Sequence, residues 1–246
     1  LNLILKNLAY GKQHKLPICQ DTGMINILIE FSPKVRFPDT FVQNIYTTIQ
    51  EATNIIPLRP NTVDPLSGKN VGNNLGHDSP PIYFELSNEV DFIRITIMNK
   101  GGGSENMSEL FMMNASSEIK DIKDNILQLV KTAGGKPCPP IILGIGIGGD
   151  ALKCMYLAKK ALMRPLFSRS QRIDVKKIEE DLIHEINELN IGPMGLGGST
   201  TCLDVRIEWA MRHPASYPVG VIVQCYSHRV TVINISEIGK VLYQNH

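Results

Sequence analysis

Pro137-Cys138-Pro139-Pro140-Ile141-Ile142-Leu143-Gly144-Ile145-Gly146-Ile147-Gly148-Gly149 is a short apolar run with prolines at one end and paired glycines at the other. That pattern is a buried strand over Ile141 to Ile147, and the glycines lead into a helix from about Ala151 to Leu162. Strand followed by packed helix places the chain among α/β (mixed α+β) folds, with mixed sheets flanked by helices. The prolines on both sides of Cys138 fix the local backbone and remove amide donors. A core cysteine needs no such rigid approach, so Cys138 reads as a ligand presented to something.

Working outward, Met24 to Phe31, Ile82 to Leu86 and the alternating Phe92 to Met98 read as strands, and Phe41 to Ile55 as a helix. Ser116 to Thr132 reads as an amphipathic helix with Ile119, Ile122, Ile126, Leu129 and Val130 on one face, ending at Gly134-Gly135. Val175 to Leu189 is a further helix with a charged outer face. Leu203 to Trp209, Val219 to Gln224 and Val230 to Ile235 read as strands of a mixed sheet. The polar stretch from Pro57 to Pro81 reads as a long ordered loop. The expectation is one compact domain over 1–246, possibly with two lobes.

Composition narrows the function classes. With 43% hydrophobic and 20% charged residues the chain can bury a substantial core, and a net charge of +1 gives no electrostatic case for nucleic acid or membrane binding. No apolar run is long enough to span a bilayer. Five cysteines, an odd number, point to a reducing, cytoplasmic setting rather than a disulfide framework. The sequence begins at Leu1 rather than Met, which leaves a leader upstream open.

Two more cysteines have settings like that of Cys138. Cys19 opens Cys19-Gln20-Asp21-Thr22-Gly23 after Pro17, and Cys225 closes a strand before Tyr226-Ser227-His228-Arg229. Positions 19, 138 and 225 are 119 and 87 residues apart, unlike the local clips of zinc ribbons, so a shared metal centre has to be assembled by the whole fold. Cys154, inside a helix, reads as a small core residue. Cys202, after a glycine-rich loop, competes with Cys225 on the residues alone.

The glycine clusters each carry two readings. Gly144 to Gly149 matches the dinucleotide fingerprint G-x-G-x-x-G, but no acidic residue follows at the ribose-binding distance; close helix-to-strand packing is the other reading. Gly101-Gly102-Gly103-Ser104-Glu105 is either a turn or a loop whose amides receive an anion such as a substrate carboxylate. Gly195 to Thr201 is either a second such loop or a tight bend.

Cys19-Gln20-Asp21-Thr22-Gly23, Asn99-Lys100-Gly101-Gly102-Gly103-Ser104-Glu105, Pro137-Cys138-Pro139-Pro140, Gly192-Pro193-Met194-Gly195-Leu196-Gly197-Gly198 and His213-Pro214-Ala215-Ser216 together resemble the alpha portion of the iron-sulfur hydro-lyases. These are class I fumarate hydratase and L-tartrate dehydratase. The resemblance implies a 4Fe-4S cluster held by Cys19, Cys138 and Cys225, favouring Cys225 over Cys202. Fully ligated electron-transfer clusters use four cysteines, so three leave one iron without a protein ligand, open to act as a Lewis acid. The implied reaction is reversible loss of water from a 2-hydroxydicarboxylate such as malate or tartrate.

In that reading Asp21 and His213 handle the proton of the departing hydroxyl, while Gln20, Arg59 and Gly102 bind substrate. Each has a bland counterpart: loop arginines are commonly solvated, and a lone histidine is commonly structural. The base for the carbon-bound proton and further carboxylate clamps belong, in that family, to a beta portion for which the stretch up to His246 has no room. The resemblance therefore implies a beta subunit as partner, in a heterotetramer, and a chain incomplete without it. Two rival expectations are a non-catalytic cluster-binding homologue and a dinucleotide-binding enzyme using Gly144 to Gly149.

Overall fold

The computed structural model describes residues 1–56 and 58–245; Pro57, the first residue of the expected polar loop, lies outside them. In chain order the elements are α1 (Asn2–His14), β1 (Met24–Phe31), α2 (Phe41–Ile55), β2 (Ile82–Leu86), β3 (Ile93–Lys100), α3 (Gly102–Glu105) and β4 (Glu109–Met113). They continue with α4 (Ile119–Ala133), β5 (Ile141–Gly149), α5 (Ala151–Met163), α6 (Ile173–Glu188), β6 (Cys202–Arg212), β7 (Tyr217–Gln224), β8 (Arg229–Ile235) and β9 (Val241–Asn245). The chain divides into two compact units, one formed by Leu1–Gly101 together with the segment from Arg229 onward, the other by Gly102–His228.

The first unit is built on a five-stranded sheet in the order β2-β1-β3-β8-β9. β1 runs parallel to β2 and antiparallel to β3, with Ile27 opposite both Ile82 and Ile97. Ile27, Ile29 and Ile93 form the centre of its core, and Ile45 and Ile49 of α2 pack over them.

The second unit has a four-stranded sheet in the order β4-β7-β5-β6, with β5 parallel to β6 and antiparallel to β7. The alternation in β5 separates two faces. Ile141, Leu143 and Ile145 join a core with Ile122, Ile126, Leu129 and Val130 of α4 and Val175, Leu182 and Ile186 of α6. Each fully buried aliphatic side chain there contributes roughly 1.5–3 kcal/mol. On the opposite face Gly144 and Gly146 meet α5: a Cβ at Gly144 would overlap the Ala158 carbonyl, and one at Gly146 the Cys154 carbonyl. Helix-to-strand contact thus explains Gly144 and Gly146, while Gly148, with φ 85°, lies against the Ala210 carbonyl of β6.

Asp204 and Glu179, both wholly buried, tie the second unit together. Asp204 accepts from the Phe167 amide at 2.8 Å and Arg169 Nη1 at 2.7 Å, and pairs with buried Arg206 Nε at 3.4 Å. Glu179 accepts from the Ile207 amide at 2.8 Å, the Ser170 amide at 2.9 Å and Arg164 Nη1 at 3.2 Å.

Two expectations need correction. The strands over 203–209, 219–224 and 230–235 do not all share a sheet: β6 and β7 lie in one sheet on either side of β5, β7 is already paired on its other edge with β4, and β8 pairs instead with β3. The helix expected from Ser116 begins at Ile119. Asn114 holds Ser116 and Ser117 in a turn, and the Glu118 amide donates to Asp121 Oδ2 at 2.8 Å. Ile119 at the first helical position is exposed rather than on the buried face.

Candidate active site

In the second unit, the segment around Cys138 is shaped by its neighbours. Gly134 ends α4 with φ 54°, and the Cys138 amide donates back to the Gly135 carbonyl at 3.1 Å. Cys138 itself has φ 55°, a left-handed conformation uncommon for a non-glycine residue, and a cis Pro139–Pro140 bond follows. Pro137, Pro139 and Pro140 are buried while Cys138 is exposed, so the backbone is anchored and the thiol presented. Gly192–Gly198 forms the tight bend: the Met194 amide donates to the Pro139 carbonyl at 2.8 Å, and a Cβ at Gly195 would come within 2.6 Å of Gly135 Cα.

Sheet pairing brings Cys225 to the same place. It follows β7 at the end where Gln224 faces Ile142, and the Tyr226 amide donates to the Cys138 carbonyl at 3.3 Å. The Cys225 thiol lies 3.1 Å from the Ser227 hydroxyl. Cys202 starts β6 at this sheet end, but its side chain belongs to the aliphatic core and its thiol contacts the Asp204 carbonyl at 3.3 Å. Burial pushes that thiol up to about 12, and the Cys154 thiol, against the Gly146 carbonyl, up to about 11.

Gly102 starts the single turn α3, and a Cβ there would meet nothing within 4 Å. Packing therefore does not require glycine at this position. Glu105, at the other end of the turn, pairs with Lys159 of α5 at 2.7 Å. His213 is exposed between β6 and β7, and its Nδ1 accepts the Ala215 amide at 3.1 Å. That bond places the proton of the neutral ring on Nε2.

In the first unit, Cys19 to Gly23 enters β1 through Gly23, whose φ of 74° and close approach to the Lys100 backbone exclude a side chain. Asp21 Oδ1 accepts from the Gly23 amide at 2.8 Å and Asn61 Nδ2 at 2.6 Å, and its carbonyl accepts from Arg229 Nη1 at 2.8 Å. Cys19, Gln20, Arg59 and Arg229 line one cleft of about 360 Å³ with Leu16 and Leu58. Lys100, only 1% exposed, ends β3 just before the glycine turn.

The first unit thus brings together Cys19, Gln20 and Arg59 and fixes Asp21 beside them; the second brings Cys138 and Cys225 together. Among the described residues no group of three or more His, Cys, Asp or Glu side chains is placed to hold a metal ion. No individual role for Asn61 or Lys100 follows from the sequence. Asn61 stands two residues after Arg59 and Lys100 heads the glycine run, so only their motif positions offered a signal.

The fumarate hydratase (fumerase) family model matches residues 1–234. This chain belongs to that family. Its members include hydro-lyases of both fumarate hydratase and tartrate dehydratase name. The chain is 41% identical over 238 residues to a putative L(+)-tartrate dehydratase subunit alpha of Methanocaldococcus jannaschii, covering 96% of this chain and 84% of the relative. A putative class I fumarate hydratase of Geobacillus stearothermophilus is 34% identical over 257 residues, and this chain spans 50% of its length. The L(+)-tartrate dehydratase subunit alpha of Escherichia coli K12 is 29% identical over 213 residues, covering 87% of this chain and 70% of the relative. Among the described residues no helix of this fumerase-family chain is long and apolar enough to cross a membrane.

Proposed function

We propose that this chain is the alpha subunit of a hydro-lyase that reversibly removes water from a 2-hydroxydicarboxylate, malate or tartrate, using a 4Fe-4S cluster held by Cys19, Cys138 and Cys225. The observation that carries the reading is the sorting of the five thiols. Cys154 and Cys202 are sealed in the core with their thiols held protonated, which leaves three for ligation. Of these, Cys138 is exposed on an anchored left-handed backbone, and Cys225 stands beside it across the Tyr226 to Cys138 hydrogen bond. A donor set of three thiolates fits a cluster with one iron left free of protein ligands.

What such a cluster supplies when bound is Lewis acidity toward substrate hydroxyl and carboxylate oxygens. The chain's own residues do the rest. Arg59 offers a planar fork to a carboxylate in the cleft it shares with Cys19 and Gln20. Gln20 hydrogen-bonds the substrate, and Gly102 leaves its backbone open to close approach. Asp21 is held in one orientation by Gly23 and Asn61, suited to handling the proton that leaves with the hydroxyl as water. His213, whose Nδ1 accepts the Ala215 amide, carries its proton on Nε2 and donates it to the departing hydroxyl.

The proton on carbon goes to a base from a beta subunit. The names of the tartrate dehydratase relatives as alpha subunits support such a partner, and an α2β2 heterotetramer in the cytoplasm is the proposed form. The test is an anaerobic dehydration assay of the cluster-loaded chain with and without the beta subunit. Turnover of malate or tartrate only with the partner is expected; full activity of the chain alone would overturn the divided site.

A further inference from the structure

Arg229 is the first residue of β8, and among the described residues only one nitrogen of its guanidinium has a hydrogen-bond partner. Nη1 donates to the Asp21 carbonyl at 2.8 Å. Nε and Nη2 are shielded from water and have no partner among the described residues. Leaving two nitrogens of a cation in that condition costs more than leaving a neutral polar group, so the edge calls for a ligand. Nε and Nη2 are the side-on pair of the guanidinium, the edge that presents two parallel donors to a carboxylate. Arg172 uses the same edge elsewhere in this protein, with Nε and Nη2 each 2.8 Å from the two Asp174 oxygens.

Arg229 lines the cleft that Cys19, Gln20 and Arg59 also line. We propose that Arg229 is a second carboxylate-binding residue of this cleft: Nη1 stays on the Asp21 carbonyl while the Nε and Nη2 edge turns to take one carboxylate of a dicarboxylate whose other carboxylate is bound by Arg59. The inference rests on the hydro-lyase reading for the identity of the ligand. It adds a specificity element, because two guanidinium groups in one cleft select a dianion over a monoanion. It also couples binding to chemistry, since the residue that grips substrate holds the backbone of Asp21.

The test is calorimetric binding of succinate, which has neither a hydroxyl to lose nor a double bond to hydrate, to the cluster-loaded chain with its beta subunit. Butyrate serves as the monocarboxylate comparison. Losing a bidentate charge-assisted contact weakens binding by about tenfold to a hundredfold. Arg229→Lys is expected to weaken succinate to that extent and to reduce the preference for succinate over butyrate, with the cluster absorption unchanged. Arg229→Ala is expected to regain affinity when guanidinium ion is added.

Succinate affinity unchanged in Arg229→Lys, or a lowered melting temperature as the sole effect, overturns the assignment and leaves Arg229 as a brace for Asp21. If Arg59→Lys weakens succinate and Arg229→Lys does not, the cleft reading survives and this inference fails. If Arg229→Lys weakens succinate in a chain that shows no dehydration, the inference stands and the proposed activity fails.

Discussion

Replacing Asp21 with Asn separates chemistry from architecture, because the structure shows what the carboxylate does for the fold. Oδ1 accepts two hydrogen bonds, from the Gly23 amide at 2.8 Å and Asn61 Nδ2 at 2.6 Å, and asparagine keeps an oxygen able to accept both. Bonds to a charged acceptor contribute about 1.5–3 kcal/mol and neutral ones about 0.5–1.5 kcal/mol, so the two together weaken by about 2 kcal/mol. Against a domain stability of about 5–15 kcal/mol the variant stays folded, with a melting temperature lower by roughly 4–8 °C. Loss of a positioned proton-transfer group costs about a hundredfold to ten-thousandfold in rate, which is about 2.7–5.4 kcal/mol on the barrier. The kinetic effect therefore exceeds the structural one. The assay is steady-state hydration of fumarate, or dehydration of tartrate, by the cluster-loaded two-subunit enzyme. A fall in kcat of this size with KM little changed is expected. A kcat within about threefold of the parent, well below that hundredfold floor, refutes the role of Asp21 in proton transfer.

Four further outcomes test the fold and the sorting of the thiols. Gly146→Ala forces a methyl onto the Cys154 carbonyl between two fixed backbones; overpacking of about 3 kcal/mol lowers the melting temperature by roughly 6–12 °C, and an unchanged melt contradicts the packing account. Asp204→Asn leaves the wholly buried Arg206 and its neighbour Arg169 without their carboxylate and costs about 3–5 kcal/mol, measured by denaturant titration. In the cluster-free chain iodoacetamide labels Cys138 first, while Cys154 and Cys202 stay unlabelled until denaturant is added; mass spectrometry of the labelled peptides reads the order. Because burial raises those two thiols from the usual 9.0 to about 11 and about 12, their stabilising contribution is complete below pH 9.0 and fades as pH rises through the folded values. The loss of stability on going to alkaline pH is accordingly smaller in Cys202→Ala.

The most legible parts of the sequence were those in which one short-range signal dominates. Met24–Phe31, Phe41–Ile55 and Ile82–Leu86 form as read, because each has a clear period and a turn signal at its ends. The strand at Ile141 was legible from its apolar run, and so was helix packing as the reason for its glycines, because no carboxylate follows at the ribose-binding distance; Gly144 and Gly146 do meet the α5 carbonyls. α1 gave no usable pattern: Leu3, Leu5 and Leu8 stay exposed and Gly11 alone is buried. Sheet membership was also hidden, because occupation of both edges of β7 is a property of the whole unit. At the site, Cys138 and Arg59 stood out by motif. Arg229 did not, because its significance lies in which nitrogen Asp21 occupies, and that requires coordinates.

Mössbauer spectroscopy of the chain reconstituted with isotopically enriched iron decides whether Cys19, Cys138 and Cys225 hold an open-site cluster. One iron of the four is expected to show parameters distinct from its three thiolate-bound neighbours, with a change confined to that iron when malate or tartrate is added to the two-subunit enzyme. A spectrum of four equivalent thiolate-ligated irons, insensitive to either dicarboxylate, would contradict it.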